Sequence, residues 1–223
     1  YRLLLVKRGA SVTTWGLPMT YLNGVIAAAV SACLLAACAQ VETSEPTASL
    51  EPAENVNHPV GTTLVVSDQD ERVTWQKTAV TEQGSVWQGS DGCKYTSYNS
   101  NPFAPAVTFE NCDGNTGTQK IQSKSGSLFP LKVGNTASWK LIGKDQQYNW
   151  NTTRRCRVSD EVNLSVPAGS YDAYKVVCRD DWNTRTFYYA PEAAANAAFI
   201  RVHKDRGTEA DSRLVKAPSQ PSS

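Results

Sequence analysis

From Thr62 to Lys204 the chain alternates apolar and polar residues in short runs: TTLVVS, RVTWQKTAV, SVWQGS, CKYTSY, AVTFEN, QKIQSK, TASWKLI, QYNWNT, CRVSDEVNLSV, SYDAYKVVC, RTFYYA and FIRVHK. A period of two puts apolar side chains on one face of a pleated strand and polar ones on the other. Turn-forming residues separate the runs, and β-branched and aromatic residues dominate them. The pattern predicts an all-β domain, an antiparallel sheet over residues 61–213, with two similar lobes as one arrangement. A helix is expected at most in PEAAANAAF, after Tyr189.

A faint internal repeat supports the two-lobe option. Val60, Gly61 and Thr63 in VGTT match Val133, Gly134 and Thr136 in VGNT. A tryptophan follows each (Trp75, Trp150), then a cysteine-bounded hairpin, then N-T-x-T at Asn115–Thr118 and Asn183–Thr186.

The pattern changes at the N-terminal end. VIAAAVSACLLAA, from Val25 to Ala37, has neither charge nor proline, which fits a signal-peptide apolar region and falls short of the roughly 20 residues that span a bilayer. Leu35, Ala36, Ala37 and Cys38 resemble the lipobox of bacterial lipoproteins, which implies diacylglycerol on Cys38 as residue one of the mature chain. Ala39 after that cysteine implies sorting to the outer membrane in a Gram-negative host. Met19 is the sole methionine, so residues 1–37 are expected to be signal peptide with upstream read-through, or a long leader using Lys7 and Arg8. Residues 38–60, with four glutamates, three prolines and no aromatic residue, are expected to be a disordered acidic linker. Residues 214–223 are expected to be a disordered tail.

Residues 61–223 hold 19 Lys+Arg against 17 Asp+Glu, a balance that argues against nucleic acid as partner. The densest basic run, Arg154, Arg155 and Arg157, has Asp160 and Glu161 nearby and reads as a solvated face. Four cysteines remain, and in an exported chain an even set predicts disulfides. Cys93 and Cys112 bracket one predicted hairpin, and Cys156 and Cys178 bracket another, so the expected bridges are 93–112 and 156–178. No C-x₂-C spacing suggests zinc.

Catalytic chemistry is not evident. His58 and His203 are the only histidines, no G-x-S-x-G elbow is present, and the acid pairs Asp68/Asp70 and Asp180/Asp181 sit in turn-like settings. No catalytic residue, metal ligand or cofactor is therefore assigned. Aromatic residues are the remaining signal, with Trp150, Trp182 and Tyr188 as candidate ligand contacts. FPLKVGNTASW (129–139), VPAGSYDAYKVVC (166–178) and FYYAPE (187–192) together resemble a signature of exported bacterial β domains of unknown function. That resemblance implies an extracytoplasmic β domain, often on a lipoprotein, with no assigned chemistry.

The sequence thus predicts a membrane-anchored envelope lipoprotein, without enzymatic activity, that acts as a binding or structural module. Its expected partners are the membrane through the anchor and an envelope protein, glycan or lipid. The alternative is a periplasmic carrier or assembly chaperone for a hydrophobic cargo.

Overall fold

The computed structural model describes residues 41–68 and 71–220; the signal segment, Cys38 and Asp70 lie outside them. The described residues form thirteen strands: β1 (Thr43–Ser44), β2 (Thr63–Asp68), β3 (Glu71–Thr81), β4 (Gly84–Gly89), β5 (Lys94–Tyr98), β6 (Ala106–Cys112), β7 (Asn115–Gly126), β8 (Thr136–Asp145), β9 (Asn149–Val166), β10 (Gly169–Arg179), β11 (Asn183–Ala190), β12 (Ala195–His203) and β13 (Gly207–Ser219). From β2 to β13 each strand pairs antiparallel with the next, and β13 pairs with β2. The result is a closed twelve-stranded meander barrel with no open edge among those twelve along the paired lengths. Both predicted disulfides are formed, Cys93–Cys112 and Cys156–Cys178.

The register fixes the faces. Ala137, Trp139 and Leu141 lie opposite Cys156, Arg154 and Thr152, and Cys156 lies opposite Cys178; these point inward. Eight strands make an interior that side chains alone can fill. Twelve leave more room, and chain segments fill it. Phe103 from the β5–β6 loop, and Leu128 and Leu131 from the β7–β8 loop, pack with Trp139, Val158, Tyr174, Phe187 and Tyr189 in one core. Leu50 and Ala53 join the same core.

Residues 41–60 therefore differ from the linker expected of their composition. Thr43 and Ser44 pair with Leu164 and Asn163 on β9, and Ala53 exchanges backbone hydrogen bonds with Leu131. Tyr174 Oη donates toward the carbonyls of Leu50 and Glu51. His58 Nε2 lies 2.8 Å from the Ala194 carbonyl oxygen. The strap's apolar contacts come from Val41, Leu50 and Ala53, which are too few and too unevenly spaced to leave a periodic pattern to read.

Three other expectations change. The NWNT of QYNWNT runs on into CRVSDEVNLSV as one long strand, β9. The expected tail from residue 214 is strand as far as Ser219, because β13 supplies the pairing that closes the barrel onto β2. PEAAANAAF is a turn followed by β12, where Ala197 and Ala198 pack against Tyr188, Ala190, Val162 and Leu164. This second core lies on the outer face of β9–β12. Small side chains suit it because the β9–β10 tip bends round to donate the Ala168 N–H to the Leu214 carbonyl.

The repeat is real at one turn and stops there. Gly61 N–H donates to the Lys77 carbonyl, and the Lys77 N–H donates to Thr62; Gly134 and Asn135 make the same pair of bonds with Val158. Both glycines have positive φ, 93° and 99°. The disulfides are not equivalent, however. Cys156 lies directly opposite Cys178 on β9 and β10, whereas Cys93 precedes β5 and meets the end of β6.

Candidate functional site

One end of the barrel is covered by the strap and the long loops; the other carries only short turns. At this second end the β10–β11 turn folds over the inner face. Asp180 is its hub. Its Oδ1 accepts the N–H groups of Trp182 and Asn183 at 3.2 and 2.9 Å. Oδ2 stands 2.5 Å from Arg185 Nη1 and 3.5 Å from Arg154 Nε. Burial by itself would raise the Asp180 carboxyl, but Arg185 and Arg154 outweigh it and hold the group below the usual carboxylate range.

The arrangement follows from strand alternation. Arg154 shares its inward side with Thr152 and Cys156, while Arg155 and Arg157 face outward. Arg185 lies directly opposite Arg201, a like-charge pair that destabilises a sheet unless countered. Asp180 counters Arg185; Asp113 and Glu209 approach Arg201 at 3.0 and 3.3 Å. Burial, then the neighbouring Arg185, pushes the Arg154 guanidinium down from its ordinary value. Asp181 accepts a 2.7 Å hydrogen bond from Thr152 Oγ1. The alternation that places Cys156 inside could have placed Arg154 there too.

Trp150 and Trp182 both belong to this end. Trp150 stacks against Phe109 at 6.4 Å and donates from Nε1 to Gln119; Gly143 leaves room for it, since a Cβ there would meet the indole at 2.3 Å. Trp182 is 37% exposed on the β10–β11 turn, and Tyr148, on the β8–β9 turn, is 69% exposed. Tyr188 does not join them. It is 5% exposed, lies on the outer face in the alanine-rich core, and has Lys175 Nζ 6.0 Å from its ring centroid. It is a packing residue.

This end is poorly equipped for acid–base work, since its buried carboxylate is already saturated with donors. His203 Nδ1 accepts the Asp205 N–H at 3.1 Å, which caps its own hairpin. Among the described residues no three His, Cys, Asp or Glu side chains are grouped to hold a metal ion. Asp68 is raised by burial, partly offset by the Asp211 N–H. A half-open depression of about 300 Å³ lies between the strap, β9–β10 and the β11–β12 turn, lined by Thr47, Leu50, Asn163, Ser170, Asp172 and Glu192 among others. Asp172 there is committed to Thr47 and Asn163, with Thr47 the larger cause of its lowered pKa.

No family model and no curated protein matches the chain. Among solved structures it is similar to the hypothetical lipoprotein YmcC from Escherichia coli K12, at 10% identity and a TM-score of 0.43, over 73% of this chain and 91% of that one. It is also similar to an exported protein with a YmcC-like fold from Bacteroides fragilis, at 10% identity and a TM-score of 0.36, over 75% and 100%. Both scores lie below one half, so neither likeness fixes an activity or a location for this chain.

Proposed function

We propose that this chain is a lipid-anchored lipoprotein of the bacterial envelope, and that its barrel serves as a non-enzymatic binding or structural module. The observation that carries the reading is the strap. Within five residues of the predicted acylated cysteine, the chain is already paired to β9, so an anchor at Cys38 would hold a rigid body and not a tethered bead. Two disulfides on neighbouring strands support an oxidising compartment, and Ala39 supports the outer membrane. The hydrophobic-carrier alternative is disfavoured because Phe103, Leu128, Leu131 and the strap occupy the inner core.

The test is fractionation of wild type and Cys38→Ala in the native host. Wild type should sediment with outer membranes and take up labelled palmitate. Cys38→Ala should lose the label and leave the outer-membrane fraction. A wild-type chain recovered unlabelled from the soluble periplasm would overturn the reading.

A further inference from the structure

The outer faces of β7, β8, β9 and β10 carry cations, with Asp160 the one acid among the described residues there, at the margin of the patch. Lys120, Lys140, Lys144, Arg155, Arg157 and Arg179 are all exposed. Cross-strand pairing sets them in one surface: Ile142 lies between Lys120 and Asn151, Lys140 pairs with Thr153, and Arg155 pairs with Arg179. The other outward residues of this stretch are threonines, serines, asparagines, Ile142 and Val177. None of the six cations is in an ion pair among the described residues. Two acids follow Arg157 in sequence. Because Ser159 bulges, Asp160 also faces outward and offsets Lys175 opposite it at the edge of the patch, whereas Glu161 faces inward and accepts the strap's Leu50 N–H at 3.1 Å. Since the chain's net charge is only +1, this face is basic by segregation.

We infer that this basic face lies against anionic lipid headgroups. The inference rests on the lipoprotein reading, and the strap provides the geometry. Val41 packs onto the core formed by Val162, Leu164 and Ala173, which shares its side of β9–β10 with Arg155, Arg157 and Arg179. Cys38 is five residues before Thr43, so it reaches at most about 18 Å from it. Starting from Val41 on that side, an acyl anchor on Cys38 has the reach to enter a membrane that the cations face. Arg157 is seven residues along β9 from Leu164, about 23 Å, within the footprint of a body lying on its side. An acyl anchor joined to a basic patch is the two-signal arrangement that gives stable membrane attachment.

The experiment uses the mature polypeptide from residue 38 with Cys38→Ala, which keeps every described residue and carries no lipid. Co-sedimentation is measured with phosphatidylcholine vesicles, with and without phosphatidylglycerol, at low and physiological salt. Binding is expected only to the anionic vesicles and should fall with salt. Lys140→Glu with Arg155→Glu should weaken it about tenfold or more, whereas Arg72→Glu, on β3, should not. Equal partition to neutral and anionic vesicles, or equal effects of the two sets of variants, would overturn the inference. So would binding to soluble polygalacturonate without binding to vesicles, which would give the face to an acidic glycan. Because the probe is unlipidated, the outcome is independent of whether Cys38 is acylated in the cell.

Discussion

Lys77 Nζ lies 2.6 Å from Asn57 Oδ1, and this contact joins the barrel wall to the strap. The lysine is 1% exposed, donates also to the His58 carbonyl, and has no carboxylate partner among the described residues. Ser85 Oγ reaches the same Asn57 oxygen at 3.4 Å and lies 2.6 Å from Ser100 Oγ. Strap, β3, β4 and the β5–β6 loop thus share one polar network, whose members depend on one another in a low dielectric.

Replacing Lys77 by Met should free the strap. It removes the charged donor shared by the Asn57 side chain and the His58 carbonyl, a cost of about 1–3 kcal/mol. Cleavage after Glu54 by a glutamate-specific protease should accelerate about tenfold or more under native conditions. Burial lowers the Lys77 pKa from 10.5, so the unfolded chain binds more protons between the folded and unfolded values. Wild-type stability should accordingly rise relative to Lys77→Met as pH increases through that window. A difference that stays flat or falls would contradict the buried ammonium.

Asp180→Asn removes the carboxylate shared by Arg154 and Arg185. Stranding buried charge costs about 3–5 kcal/mol, read as a lower midpoint in urea. The sign with pH is opposite to that for Lys77. The folded-state pKa is depressed, so the wild-type advantage is present above 3.8 and lost as pH falls through the folded value. An undiminished difference well below that range would count against the ion pair.

The two bridges should differ in access. Cys156 and Cys178 are 3% and 0% exposed, whereas Cys112 is partly exposed. Dithiothreitol followed by alkylation of the native protein should label Cys93 and Cys112 first, and the other pair only once the barrel opens. Both span similar loops, of sequence separation 19 and 22, so losing either should cost about 3 kcal/mol. Alkylation of both pairs at one rate would contradict the burial.

Much of this fold was legible in the sequence because antiparallel sheets expose one face, and alternation records it. The hairpins of Cys93–Cys112 and Cys156–Cys178 could be paired on that basis. β13 was missed because GTEADSRLVKAPS buries little more than Ala210 and Leu214, and its stability comes from backbone pairing on both edges. The strap left no pattern either, since its few apolar anchors, Val41, Leu50 and Ala53, are unevenly spaced. Of the candidate contacts, Trp150 and Trp182 share an end of the barrel, while Tyr188 follows Phe187 by one residue and so must face the other way. The basic face was hidden because its members come from four strands and meet only through register.

Gly134→Ala tests the repeated turn. A Cβ there would meet nothing within 4 Å, yet φ is 99°, so the penalty is conformational and about 1–2 kcal/mol. Gly61→Ala should cost a similar amount by thermal denaturation, since the same hydrogen bonds hold it. A neutral result at both sites would mean that the two turns do not constrain the strands they start.

The most direct measurement is the intact mass of the protein purified from its native membranes without reductant, with its N-terminal peptide sequenced. The account predicts a chain beginning at Cys38 and carrying two or three acyl groups, with four hydrogens fewer than the fully reduced form. A chain beginning elsewhere, without acyl mass, would contradict the lipid anchor on which the proposed function stands.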